Sequence, residues 1–254
     1  MHHSNVCRDS RLKKELTLAS PVGSGKSAAA RKVQQYLWVN GIKPVIDGDW
    51  GTGTQAAIDQ FCQKAGIPPQ QSVDQALMDR LAQPLLRAAH AIAQQASFQA
   101  SIVAFAKQQL AEHPVEIDGA NMGPWVRFYM SGHEGKDWLW CAGFVTYIVR
   151  YCATLHAQPS PVSRTFSCDV LAMEAKQSGR FRSKGTLAQI PAGSIFLVRR
   201  PNASNDWVHT GIVLDHKNGT IITAEGNTDQ GGSSNGFEAT SRIRNAANVD
   251  IIVT

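Results

Sequence analysis

The last quarter of the chain limits the fold more than any other part. Between residues 190 and 254 the runs "GSIFLVRR", "HTGIVLDH", "GTIITAEGN" and "VDIIVT" follow one another at short intervals. Each is rich in β-branched residues, and Gly, Asn and Asp separate them, so they read as short strands joined by tight turns. Connections this short join antiparallel neighbours. The chain before them carries helical spacing instead. Helices followed by close-set strands give an α+β fold, with helices packed on a small antiparallel sheet. A length of 254 residues leaves room for one or two domains.

The helical part divides further. Residues 1–25 are polar and without period, and are expected to form a flexible tail. In "SAAARKVQQYLWVNG", Ala29, Ala30, Val33 and Leu37 fall at helical spacing, and Gly41 is a natural stop. In "TQAAIDQFCQKAG", Ala57, Ile58, Phe61 and Ala65 share a face. Thr52 with Gln55 reads as a capping box, and Gly66 as the end. "SVDQALMDRLAQP" gives a third short helix starting near Ser72 or Asp74, with Pro84 as its end. The expected division is therefore a tail at 1–25, a three-helix module at 26–84, a helical Ala/Gln-rich connector at 85–96, and a second domain at 97–254.

Composition excludes several functions. No apolar run approaches the roughly 18 residues of a membrane span, and no stable membrane insertion is expected. "MHHSNVCRDSRLKKEL" lacks the apolar segment of a secretory signal, so synthesis in the cytoplasm is expected. The net charge of +5 favours a polyanionic partner, but the basic residues are scattered and not interleaved with aromatics, so nucleic acid is not expected. "VGSGKS" at 22–27 is not a phosphate loop, because Ser20 stands where the first glycine belongs and no strand precedes it. The five cysteines include no C-x-x-C pair, which argues against a disulfide framework or a zinc site. Asp118, Glu134 and Asp137 are not spaced like a calcium loop. No metal or other cofactor is expected, and the chain reads as a monomer.

One constellation carries chemistry. In "KDWLWCAGFVTYIVRYC", Cys141 opens a helix whose face is built by Phe144, Val145, Ile148 and Tyr151. A buried core thiol is the ordinary reading of a lone cysteine. A thiol at a helix start beside an imidazole is instead a nucleophile, because both features favour the thiolate. His209 opens the strand "HTGIVLDH", and the next strand carries Glu225 and Asn227, two residues apart and so expected on one face. Either can accept a hydrogen bond from the imidazole and fix its tautomer. The three pieces in register make a catalytic reading stronger than any piece alone, with Glu225 slightly favoured over Asn227.

"WCAGFV", "HTGIVL" and "TAEGNT", in this order and spacing, resemble the CHAP branch of the NlpC/P60-type, papain-like cysteine peptidases and amidases. "AGSIFLVRR" resembles the strand before the histidine strand, and "GANMGPWVRFYM" the approach to the cysteine. The resemblance covers residues 97–254. It implies Cys141 as nucleophile, His209 as general base and Glu225 or Asn227 as the orienting residue, with Trp140 beside the substrate. "VQQYLWVNGIKPVIDGDWGTGTQAAIDQF" is similar to the three-helix peptidoglycan-binding domain, with Asp47, Asp49 and Trp50 in the loop that would hold the ligand. It departs at Cys62, where that family usually has glutamine.

Together the resemblances imply an enzyme that binds bacterial peptidoglycan and cleaves one of its amides. N-acetylmuramoyl-L-alanine amidase is favoured over stem-peptide endopeptidase. They imply action at the wall of a target or host bacterium, as a phage lysin or as an antibacterial effector of a contact-dependent (type VI) machine. An effector would have a cognate immunity protein. The readings in other classes are a Cys-His-Glu acyltransferase or deamidase acting on proteins, and a silent wall binder.

Overall fold

Helices and strands separate along the chain as their periodicities require. The computed structural model describes residues 10–254 and is α+β. Among the described residues it has nine α-helices, a six-stranded antiparallel sheet and a separate two-stranded sheet. None of these helices is long and apolar enough to cross a membrane. The chain divides into two compact units.

The helical unit takes residues 10–89 and Glu116–Gly135. It begins with α1 (Ser10–Leu16), β1 (Gly25–Lys26) and α2 (Ala28–Val39). Ser27 caps α2, its hydroxyl accepting from the Ala30 amide at 3.0 Å, and the helix buries Ala30, Val33, Tyr36 and Leu37. β2 (Asp49–Trp50) pairs with β1 and leads into α3 (Thr52–Ala65). The N-cap of α3 is Gly51, so the Thr52–Gln55 capping box does not form. Gly66 ends α3 at φ 65°, a left-handed conformation that costs glycine least. Asp74 caps α4 (Gln75–Leu81) through the Leu77 amide at 2.8 Å. Pro84 does not end the module. It lies in the first turn of α5 (Gln83–Ala89), where its missing N–H costs nothing, and Leu85, Ala88 and Ala89 are fully buried.

After α6 (Phe98–Ala111), which belongs to the sheet unit, the helical unit resumes with α7 (Pro124–Tyr129). "GANMGPWVRFYM" thus falls in the helical unit, which holds six helices among the described residues. Arg127 is the reason. Its mostly buried guanidinium bonds Glu15 through Nε at 3.0 Å and Nη2 at 2.8 Å, Glu134 at 2.8 Å and Gln35 at 2.9 Å. Asp118 likewise receives Arg31 at 2.7 and 2.6 Å and Gln35 at 2.8 Å. A buried charge stripped of such partners is strongly destabilising, so the network ties 116–135 to α1 and α2. The same network corrects the expected tail. From Ser10 onward the segment is built into the unit, and Val22 bridges Val73 through bonds of 2.9 and 2.7 Å. The rest of the expected tail, residues 1–9 with His2, His3 and Cys7, lies outside the described residues.

The sheet unit takes His90–Val115 and Lys136–Thr254. The connector is helical only to Ala89; residues 91–95 are irregular, and Ser97 caps α6 through the Ala100 amide at 3.1 Å. α8 (Cys141–Leu155) and α9 (Cys168–Gln177) follow. The strands β3 (Phe181–Arg182), β4 (Ile195–Arg199), β5 (Trp207–Lys217), β6 (Thr220–Thr228), β7 (Glu238–Asn245) and β8 (Asp250–Ile252) form an antiparallel sheet in the order β3-β8-β4-β5-β6-β7. α6 and α8 pack on β5 and β6, and α9 on β5. A core of Ile190, Phe196, Val213, Ile221, Val249 and Ile251 stabilises the sheet by removing apolar surface from water.

Candidate active site

Cys141 is the first residue of α8. The N-cap, Trp140, makes no side-chain cap, so its side chain leaves the first amides of the helix open to an acceptor beside Cys141. The helix is apolar on almost every side and buries eleven of its residues, which gives the thiol a rigid base. Gly226 lets the sheet approach. A Cβ there would lie 2.8 Å from Trp140 Cζ3 and 2.9 Å from Phe144 Cβ, so only glycine permits this contact between β6 and the start of α8.

His209 lies near the start of β5, opposite Val198 of β4. Its Nε2 is 2.8 Å from Glu225 Oε2, and both side chains are buried. Glu225 is fixed in turn. Arg244 of β7 grips both carboxylate oxygens, at 2.6 Å from Nε and 2.5 Å from Nη2, and the Thr223 hydroxyl donates at 2.5 Å. Burial pushes the Glu225 carboxyl up, but the hydrogen bonds and charges of Arg244 and His209 outweigh it and hold it at about 2. The other ring nitrogen, Nδ1, is buried with no hydrogen-bond partner among the described residues. The Cys141 thiol is the other group, besides Glu225, that acts on the charge of the ring. Burial pushes the imidazole down, while Cys141 and Glu225 outweigh it and raise it to about 9. The Cys141 thiol is held well below its ordinary range. The hydrogen bond with Cys168 is the largest cause; burial opposes it, and the hydrogen bond and charge of His209 and the Ala142 amide add to it.

The arrangement can therefore hold a thiolate–imidazolium pair, the activated form of a cysteine nucleophile. Cys152, on the same helix, is the contrast: burial alone pushes its thiol up to about 12.

Asn227 does not join this group. The pairing of β6 with β7 shifts between Glu225 and Thr228, and Asn227 takes a left-handed φ of 55°. Its amide donates to the Gly236 carbonyl at 2.8 Å. The bulge breaks the alternation that would have set Asn227 on the face of Glu225. Trp140 is fully buried, which removes the substrate contact expected of it. Trp138 is only half-buried and meets Phe166 edge-on at 5.8 Å, and Leu139 is exposed.

Two residues near the site have no role in the sequence reading: Arg244 is not singled out there, and Cys168 reads as an inert thiol. Arg244 was signalled by "SRIRN", whose alternation sets two arginines on one face of a strand. Cys168 stands 3.8 Å from Cys141, sulfur to sulfur. Its signal was "FSCDV", a serine cap with a cysteine at the first helical position.

In the helical unit, the loop carrying Asp47, Asp49 and Trp50 is organised by Gln34, another residue the sequence did not single out. Its buried amide accepts from the amides of Asp47 and Gly48 at 3.2 and 2.8 Å. It donates to Asp47 Oδ1 at 2.9 Å, to the Asp49 carbonyl and to Thr54 Oγ1. Asp47 is exposed, but its carboxylate also receives the Asp49 amide and so builds the loop. The Asp49 side chain is exposed, and the half-buried Trp50 points its indole N–H to Gln55 at 3.3 Å. Of the acidic residues near the cysteine in sequence, Asp118 and Glu134 are held by Arg31 and Arg127 of the helical unit. Among the described residues, no group of three or more His, Cys, Asp or Glu side chains is arranged to hold a metal ion.

No family model, curated protein or solved structure matches this chain.

Proposed function

We propose that the chain is a cysteine amidohydrolase of bacterial peptidoglycan. One observation carries the chemistry: an imidazole bonded to a buried, arginine-held carboxylate favours the thiolate of a cysteine at the start of a rigid helix. The sheet unit supports a papain-like reading by its order, a helix that opens on the cysteine and then antiparallel strands that bring the histidine and its acid. The wall as substrate rests on the resemblance of both halves of the chain to wall-hydrolase modules, and a net charge of +5 suits an anionic wall.

In this mechanism the Cys141 thiolate attacks the amide carbonyl carbon. The uncapped amides of the first turn of α8 stabilise the oxyanion. The His209 imidazolium gives its proton to the leaving nitrogen, and the C–N bond breaks to leave a thioester. Neutral His209 then deprotonates water, hydroxide attacks the thioester, and the thiolate is restored. Glu225 holds the ring and compensates its charge. The exposed loop of the helical unit retains the enzyme on its polymer and raises the local substrate concentration. The amide between the lactyl group and the first alanine is the favoured bond, with a stem-peptide bond second. The enzyme acts at the wall of a target or host cell, as a lysin or a delivered effector, and an effector is paired with an immunity protein.

The test is to incubate purified sacculi with the wild type and with Cys141→Ala and to weigh the soluble fragments by mass spectrometry. Wild-type release of intact stem peptides is expected; trimmed muropeptides would move the cut into the stem. Equal release by both proteins, or none by either, would sink the reading.

A further inference from the structure

The mechanism above leaves Cys168 without a task, although its sulfur is the neighbour of the nucleophile. The two thiols stand 3.8 Å apart, within reach of an S–H···S hydrogen bond, and both are buried. The contact is built from both sides. Ser167 caps α9 through the Val170 amide at 3.3 Å, which fixes Cys168 as the first residue of that helix. The next residue, Asp169, accepts the Trp207 amide at 2.7 Å and ties the start of α9 to β5, two residues before His209. The segment before the cap is tied to the first turns of α8. Thr146 donates to the Thr165 carbonyl at 3.1 Å, and Arg164 donates to the Gly143 carbonyl at 2.8 Å and to Thr146 Oγ1 at 2.6 Å. Cys168 therefore cannot drift from Cys141 without breaking several bonds.

A thiol in this place has one proton to share, and the sulfur of Cys141 lies within hydrogen-bond reach of it. We propose that Cys168 is a positioning residue, whose S–H donates to the Cys141 sulfur and holds it as an oriented thiolate facing the imidazole of His209. The inference rests on the reading of Cys141 as nucleophile and adds a fourth member to its site. Two thiols that share one proton titrate as a pair, the first easily and the second with difficulty. The directions agree: Cys168 is raised well above its ordinary value, with the hydrogen bond to Cys141 as the largest cause and burial second. His209 supplies the positive charge and Cys168 the directional donor, so the thiolate does not depend on the imidazolium alone. When Cys141 acylates, the S–H loses its anionic acceptor; when the thioester is hydrolysed, the donor is in place for the returning thiolate.

The test measures the rate of Cys141 carbamidomethylation by iodoacetamide from pH 4 to 10, read on the Cys141 peptide by mass spectrometry so that other thiols do not contribute. The proteins are the full chain as wild type, Cys168→Ser and Cys168→Ala. Serine keeps a hydroxyl donor in the same helix position; alanine removes it. The expected midpoint is well below that of an ordinary thiol in the wild type and close to it in the serine variant. In the alanine variant it rises by about one pH unit, or about tenfold in rate below both midpoints. A merely packing role for Cys168 would leave the pH profile unmoved. If the alanine profile coincides with the wild type, or if serine and alanine shift together, the donor role is overturned while Cys141 remains the nucleophile. A wild-type Cys141 that titrates near the ordinary value of about 8.5 would overturn the nucleophile reading itself.

Discussion

At the scale of single residues, the site depends on a chain of charges kept out of water. Glu225 is the pivot, since it serves His209, Arg244 and Thr223 at once. Glu225→Gln keeps the shape but leaves Arg244 without its anion and His209 without a charged acceptor. The expected activity on sacculi falls at least about 10²-fold, the lower end of what a positioned acid–base group contributes. The expected stability falls by about 3–5 kcal/mol, the cost of breaking a buried pair from one side, measured by urea unfolding. The pair also sets how stability follows pH. Glu225 titrates at about 2 in the fold against an ordinary 4.5, so its contribution is present above pH 4.5 and disappears as pH falls through 2. His209 titrates at about 9 against 6.5, so its contribution is complete below pH 6.5 and disappears as pH rises through 9. Urea midpoints from pH 2 to 10 check both limbs, and His209→Asn is expected to lack the alkaline decline.

At the scale of elements, the site is where a helix start meets two strands, and the fit is set by what is missing from Gly226. A methyl group there meets Trp140 and Phe144 at less than 3 Å. Gly226→Ala is expected to cost about 1–3 kcal/mol as an overpacked contact and to displace Cys141 from His209. Denaturant unfolding measures the first effect, and slower alkylation of Cys141 at neutral pH the second. Unchanged alkylation would mean that α8 is placed by its other contacts. Helix boundaries were readable where a side chain marks them. Ser27, Asp74, Ser97 and Ser167 all cap as their types prefer. The Thr52 box failed because Thr54, two residues on, is buried and bonds Asp49 and Gln34, and the chain enters α3 through Gly51 instead.

At the scale of the whole molecule, the helical unit is discontinuous in sequence, with residues 116–135 completing it after the excursion through α6. A fragment of residues 10–96 therefore lacks Arg127 and Asp118 and leaves Glu15 and Arg31 unpaired. It is expected to melt well below the same unit in the full chain, followed by circular dichroism; equal melting would show that 116–135 adds nothing to its stability. The sequence by itself determined the α+β class, the strands after residue 190, the helix that opens on Cys141, and a histidine and an acid on neighbouring strands. These are local properties, because periodicity and capping act over a few residues and short turns pair strands in order. Only the tertiary structure decided between Glu225 and Asn227, since a bulge in β6 reverses the local alternation. It alone buried Trp140, set Arg244 on Glu225 through the register of β6 and β7, and brought Cys168 to Cys141 across 27 residues. Register, burial and contacts between distant segments follow from how the whole surface of each element finds its partner, and that information is spread over the chain.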